Sequence, residues 1–168
     1  MKNVSRRKPD QAFARTRRNG TGIVAVESLH VGRRIGRPAL AADVGVESTV
    51  AVGEDIETGK LLFEWRSLDH VPPTDSYERR PGHGQPWDYF HGNAIAPPAP
   101  GSPTVIISSR NTSSLYGVDR ASGRTRWILG GKRDQFHLAR SSFFCAQHDA
   151  HRLPNGDVMM FDNGGTYM

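Results

Sequence analysis

Four polar side chains stand beside apolar, strand-like runs in the second half of the chain. They are His91 and Asn93 in WDYFHGNAI (87–95), Arg110 in VIISSRNTS (105–113) and His148 in CAQHDAHRLPNGDVMMFDNG (145–164). Two imidazoles, a guanidinium and an amide suit an anion with several oxygens. A neutral imidazole can attack phosphorus or sulfur and give an N-linked intermediate that a second acceptor discharges; His148 is the candidate for that role. His91 and Asn93 lie two apart, so an extended segment puts them on one face, where they can bind two oxygens of a tetrahedral group. His91 can instead protonate a departing phenolate oxygen. Arg110 closes the run VIISS and offers a fork of donors for charge that builds on an oxyanion. Asp149 follows His148 directly. Consecutive strand residues face opposite sides, so Asp149 reads as a turn or backbone-capping residue and not as the ring's partner.

The other histidines carry less. His83, in PGHGQP, sits in a turn-rich loop and reads as solvated, while His30 and His137 have no context that singles them out. His91, His148, His151 and an Asp could in principle hold a metal in a propeller hydrolase, but their spacing matches no zinc-hydrolase motif, so no metal ligands are assigned. Cys145 stands alone, which excludes an internal disulfide and leaves it as a small, half-buried apolar residue.

The elements that must position these groups are strands. STVAVGEDIETGKLLFEW (48–65) reads as strand, turn, strand, with Leu61, Phe63 and Trp65 alternating after Glu57-Thr58-Gly59-Lys60. LYGVDRASGRTRWIL (115–129) repeats the design: Asp, two residues, Thr or Ser, Gly, a base, then a Trp four or six residues past the Gly. A third turn, Asn155-Gly156, predicts a type I′ hairpin with positive φ at both positions, and Met159, Met160 and Phe161 read as core filling for it. Hairpin phrases that recur with an aromatic after a Gly turn suggest β-propeller blades; a small antiparallel sandwich is the competing arrangement. The Pro- and Gly-rich loop 66–86 is long enough to cross one face and line a site. No helical period is sustained, so the chain is expected to be all-β. Its strands supply about two to three blades of a ring that needs roughly four to eight, which predicts a partial propeller whose open sheet edges invite self-association.

At 168 residues the chain fits one domain with a modest core. Residues 1–37 hold ten Lys or Arg against Asp10 and Glu27, a charge of +8; with the whole chain at +5, residues 38–168 carry −3. The division drawn from this is a basic, disordered or irregular segment over 1–47 and the β-rich part over 48–168. The basic segment has Phe13 as its one aromatic and no nucleic-acid motif, so no nucleic-acid partner is expected. No apolar run reaches 18 residues, so no transmembrane segment is expected, and no apolar stretch follows the early basic residues as a secretory signal would require. The sequence assigns no localisation.

Four phrases, EWRSLDHVPPTDSY (64–77), WDYFHGNAI, VIISSRNTSSLYGVDRASGRTRWILGGKR and QHDAHRLPNGDVMMFDNG, resemble in order the arylsulfotransferase (ASST) family of PAPS-independent enzymes, over residues 48–168. The resemblance implies a six-bladed propeller with an axial site and sulfuryl transfer from an aryl sulfate to a phenol acceptor, without a nucleotide cofactor. It also implies that His148 is transiently sulfated, that His91 and Asn93 bind sulfuryl oxygens and assist the leaving group, and that Arg110 balances sulfuryl charge. The family carries a further active-site histidine on an earlier blade, for which 1–47 offers no matching phrase; His30, in ESLHVGRR, lacks the expected surroundings. Gly92 stands where another residue is usual between the His and the Asn, which is expected to loosen the strand there. Family members are typically exported or membrane-attached. The expectation is therefore a truncated arylsulfotransferase; the alternative is a non-catalytic propeller fragment that binds an anion or a partner strand.

Overall fold

The computed structural model describes the backbone of residues 23–29 and, with side chains, residues 45–55 and 58–164. His30 and most of the basic segment lie outside the described residues. Within them the chain is all-β: nine strands in three antiparallel sheets, none closed on itself, with one four-residue helix, α1 (Ser67–His70), and three short 3-10 turns. Strands β1 (Ile23–Leu29), β2 (Ser48–Glu54) and β3 (Leu61–Arg66) form the first sheet in sequence order. β4 (Gly92–Ala96), β5 (Thr104–Ser109), β6 (Ser114–Asp119) and β7 (Thr125–Gly130) form the second, and β8 (His148–Arg152) with β9 (Val158–Phe161) the third. Consecutive antiparallel strands in successive sheets are the arrangement of a partial, propeller-like fragment.

The middle sheet is buried on both faces, and alternation along its strands explains how. Val105 and Ile107 of β5, with Tyr116 and Val118 of β6, face the first sheet in a core built around Trp65, Phe90 and Tyr89. Ile106 and Leu115 face the other way, with Ala94, Ala96 and Ala150, and Trp127 and Met160 pack against them. A sheet covered on both sides reads as a continuous apolar run, as TVIISS does, because side chains of either parity are buried. Trp65 stacks on His70 at 5.1 Å. Burial pushes the Tyr116 phenol up to about 12 and that of Tyr89 further still, so both remain hydroxyl donors, to Thr112 Oγ1 and to the Val71 carbonyl.

The repeated hairpin phrase has one physical form in both places. Asp55 Oδ1 accepts from the Thr58 amide and hydroxyl, its carbonyl accepts from Gly59 N, and Gly59 has φ +68°. Asp119 Oδ1 accepts from the Ser122 amide and hydroxyl, its carbonyl accepts from Gly123 N, and Gly123 has φ +70°. The left-handed position explains the Gly, and the short acidic side chain closes the turn. Arg126 and the Ser122 donors hold the Asp119 carboxyl well below the usual carboxylate range.

Two expectations about the last hairpin are corrected. Asn155 does not have positive φ; the Gly156 amide donates to the Leu153 carbonyl and Gly156 alone is left-handed, at +95°. Pro154 fixes the preceding φ near −65°, which suits a three-residue loop with a Gly bulge and not a type I′ turn. Of the three residues expected as core filling, only Met160 packs inward; Met159 and Phe161 are exposed. A strand buried on one face turns alternate residues outward whatever their polarity. Cys145 is buried throughout.

Candidate active site

The antiparallel pairing of β4 and β5 places Gly92 opposite Ser109, so the residue before β4 and the residue after β5 meet at one end of the sheet. Those residues are His91 and Arg110, and the Arg110 amide donates to the His91 carbonyl at 3.0 Å. β8 packs against β4 and β5 and begins at His148. The side-chain amide of Asn93 donates to the Gln147 carbonyl at 2.7 Å, which ties the start of β4 to the start of β8. The result is that the His91 and His148 rings stand edge to face with centroids 6.3 Å apart.

How His91 gets there differs from the sequence expectation. It is not extended: its φ is +53°, and the β4–β5 register shifts between Gly92 and Ala94. Tyr89 and Phe90, both wholly buried, anchor the chain just before it. Asp88 then closes a turn from the side: Oδ1 accepts the His91 amide at 2.9 Å and Oδ2 meets the ring Nδ1. Asn111 braces the same turn, its side chain donating to the Asp88 carbonyl and its amide to the Phe90 carbonyl. A left-handed non-glycine residue is strained and persists only where its surroundings over-determine it, and these bonds do so.

Gly92 lies at the register shift of β4 on β5, and it also makes a close contact with the first sheet. Its amide donates to Thr49 Oγ1 at 3.0 Å, and a Cβ there would lie 2.4 Å from Thr49 Cγ2. The small residue makes room for a contact between the first two sheets. Gly92→Ala is expected to destabilise the fold by about 1–3 kcal/mol through overpacking. Thr49→Ser, which removes the clashing methyl and keeps the hydroxyl, is expected to restore part of the loss in the double variant. Thermal melts of the four proteins check this, and equal losses in both backgrounds would refute it.

His148 is held by its own neighbourhood. Ala146 is left-handed, φ +52°, and its carbonyl lies 3.0 Å from His148 Nδ1. When Nδ1–H donates there, Nε2 carries the ring's lone pair. Asn163 Nδ2 donates to the same carbonyl at 2.6 Å, so two donors share that oxygen. Asp149, as expected, plays no part in orienting the ring: it is left-handed, φ +54°, mostly exposed, and sits in the irregular step between His148 and His151. Bulges of this sort re-aim a side chain at the start of a strand.

Arg110 sits at the right end of the sheet, but its guanidinium is engaged. Nη1 donates to Asn111 Oδ1 at 2.7 Å and to Glu78 Oε1 at 3.2 Å. Glu78 belongs to the loop that follows α1, which is fastened over this end by the pair of Arg133 with Asp75 and by Lys132 Nζ donating to the Thr74 carbonyl. The long loop thus does run beside the site. Asp88, Gln147, Glu78 and Asn163 were missed by sequence reasoning. For Asp88 a signal existed, an acid three residues ahead of a candidate imidazole; for the other three none did. Among the described residues no group of three or more His, Cys, Asp or Glu side chains is arranged to hold a metal ion, and no helix is long and apolar enough to cross a membrane.

The family model for arylsulfotransferase (ASST) matches residues 20–167, most of the chain. The chain belongs to the arylsulfotransferase family. The match takes in all four candidate residues and begins ahead of β1, the strand that pairs with β2. No curated protein and no solved structure matches this arylsulfotransferase-family chain.

Proposed function

We propose that the chain moves a sulfuryl group from a phenolic sulfate ester to a phenol acceptor through a sulfohistidine at His148. The observation that carries the reading, beside family membership, is the meeting of two imidazoles from separate sheets, 6.3 Å between centroids. His148 Nε2 attacks sulfur, the S–O bond to the aryl group breaks, and the departing oxygen takes a proton from His91. The acceptor phenol then loses its proton to His91 as its oxygen attacks the sulfohistidine, and His148 is released. Arg110 has three N–H groups on Nε and Nη2 besides those on Nη1, and these are the donors the reading assigns to the sulfuryl oxygens. Asn93 contributes the amide hydrogen that does not go to Gln147.

A covalent intermediate requires ping-pong kinetics. The test is 4-nitrophenyl sulfate as donor with a phenol acceptor and no added nucleotide. Sulfated acceptor is expected, with parallel double-reciprocal lines as acceptor concentration is varied. Release of 4-nitrophenol that ignores the acceptor would mean a sulfatase, and binding of aryl sulfate without turnover would mean an anion-binding module; either result overturns the reading.

A further inference from the structure

We propose that Asp88 is a positioning residue that fixes the tautomer and aim of His91, and so sets which of its nitrogens serves the leaving oxygen. The proposal rests on the sulfuryl-transfer reading and goes beyond it by naming a residue that touches neither substrate nor sulfur. Asp88 grips His91 at two points with its two carboxylate oxygens, one on the backbone amide and one on ring Nδ1. A carboxylate is acceptor-only, so the Nδ1 it meets carries the proton. Nε2 is then the nitrogen left to exchange protons with substrate, and it belongs to the ring that stands edge to face with His148.

The backbone contact makes the aim specific. His91 adopts a conformation that side-chain-bearing residues disfavour, and the Asp88 carboxylate satisfies its amide in that conformation. Asp88 is itself held through its carbonyl by Asn111, whose neighbour Arg110 donates to the His91 carbonyl. One carboxylate therefore couples the turn's shape to the ring's protonation pattern. In the first half-reaction the proton on Nε2 passes to the phenolate oxygen as the S–O bond breaks. The ring is left neutral with Nδ1–H on Asp88. In the second half-reaction the acceptor's phenolic proton returns to Nε2, and the cycle balances. With Nδ1 held on Asp88, Nε2 keeps one aim through both transfers, which matters most when the leaving phenolate is strongly basic.

The experiment is a series of aryl sulfate donors of graded leaving-group acidity, from 4-nitrophenyl to unsubstituted phenyl sulfate, on the whole chain and on Asp88→Asn. Asparagine keeps an acceptor for the His91 amide and removes the charge. Phenyl sulfate turnover is expected to fall roughly 10–100-fold, a fraction of what a general acid supplies, with 4-nitrophenyl sulfate affected far less. A uniform loss across the series, or an unchanged series, overturns the proposal. Nitrogen-15 NMR of the His91 ring separates this from failure of the sulfuryl reading. If the unmodified chain transfers nothing from any donor, that reading fails. The positioning role then stands or falls on whether Nδ1 is protonated in the unmodified chain and loses that preference in Asp88→Asn.

Discussion

His148→Ala is expected to lower sulfuryl transfer by roughly 10⁴-fold or more, the scale on which removing a covalent nucleophile acts, while the protein stays folded. The loss of activity follows from the proposed nucleophile, and the retained fold follows from the structure. The ring is half-buried, and its Nδ1–H donates to the Ala146 carbonyl, which also accepts from the Asn163 side-chain amide. Its removal orphans no deeply buried group. The strand it begins keeps the Asn93 bond to the Gln147 carbonyl and the packing of Ala150. His148→Asn should be as inactive, because an amide nitrogen has no lone pair to offer. Incubation of the unmodified chain with donor alone should leave a sulfuryl adduct on the peptide holding His148. Turnover that persists in His148→Ala would refute the assignment of the nucleophile.

The second large effect falls on the residue just before it. Gln147→Leu is expected to cost on the order of 3 kcal/mol of stability, because several buried acceptors lose their donor at once. Gln147 is wholly buried, and its Nε2 donates to Ser108 Oγ, to the Ser109 carbonyl and to the Ser114 carbonyl at 3.0–3.1 Å. Leucine is somewhat larger and presents methyl groups to two carbonyls and a hydroxyl. Gln147→Glu should be no better, since a carboxylate would face the same acceptors. Because this amide clamps the 145–148 segment to the turn between β5 and β6, activity should fall with stability, and more steeply for donors that need a well-aimed His148. Urea titration gives the stability change; a loss under 0.5 kcal/mol would show that the network contributes little.

What could be read from the sequence was what local chemistry decides. Asp55 with Gly59 and Asp119 with Gly123 announce their turns because each turn's bonds are made within six residues. Arg110 at a strand end follows from the apolar run VIISS that stops beside it. Contacts between distant segments were hidden. Nothing near Gln147 in the chain says that its amide will meet Ser109 and Ser114, and nothing near Gly92 says that Thr49 will press on it. His91 misled in a different way: two-residue spacing implies a shared face only in extended backbone, and Asp88 bends the chain out of it. The exposed faces of Met159 and Phe161 were misjudged because composition does not reveal which side of a strand is covered.

The double-sided burial of the middle sheet also imposes a sequence of events. β4 to β7 are consecutive strands joined by short turns, so their contacts are local and cheap in chain entropy, and such contacts form early. His91 and Arg110 are built into that early unit. His148 belongs to a sheet with two strands among the described residues, which packs on the outer face of the middle sheet. The two imidazoles thus belong to units of different opening free energy, and amide exchange should report it: β8 and β9 losing protection before β5 and β6. The lifetime of the assembled pair of rings is then the residence time of the last hairpin on its neighbour.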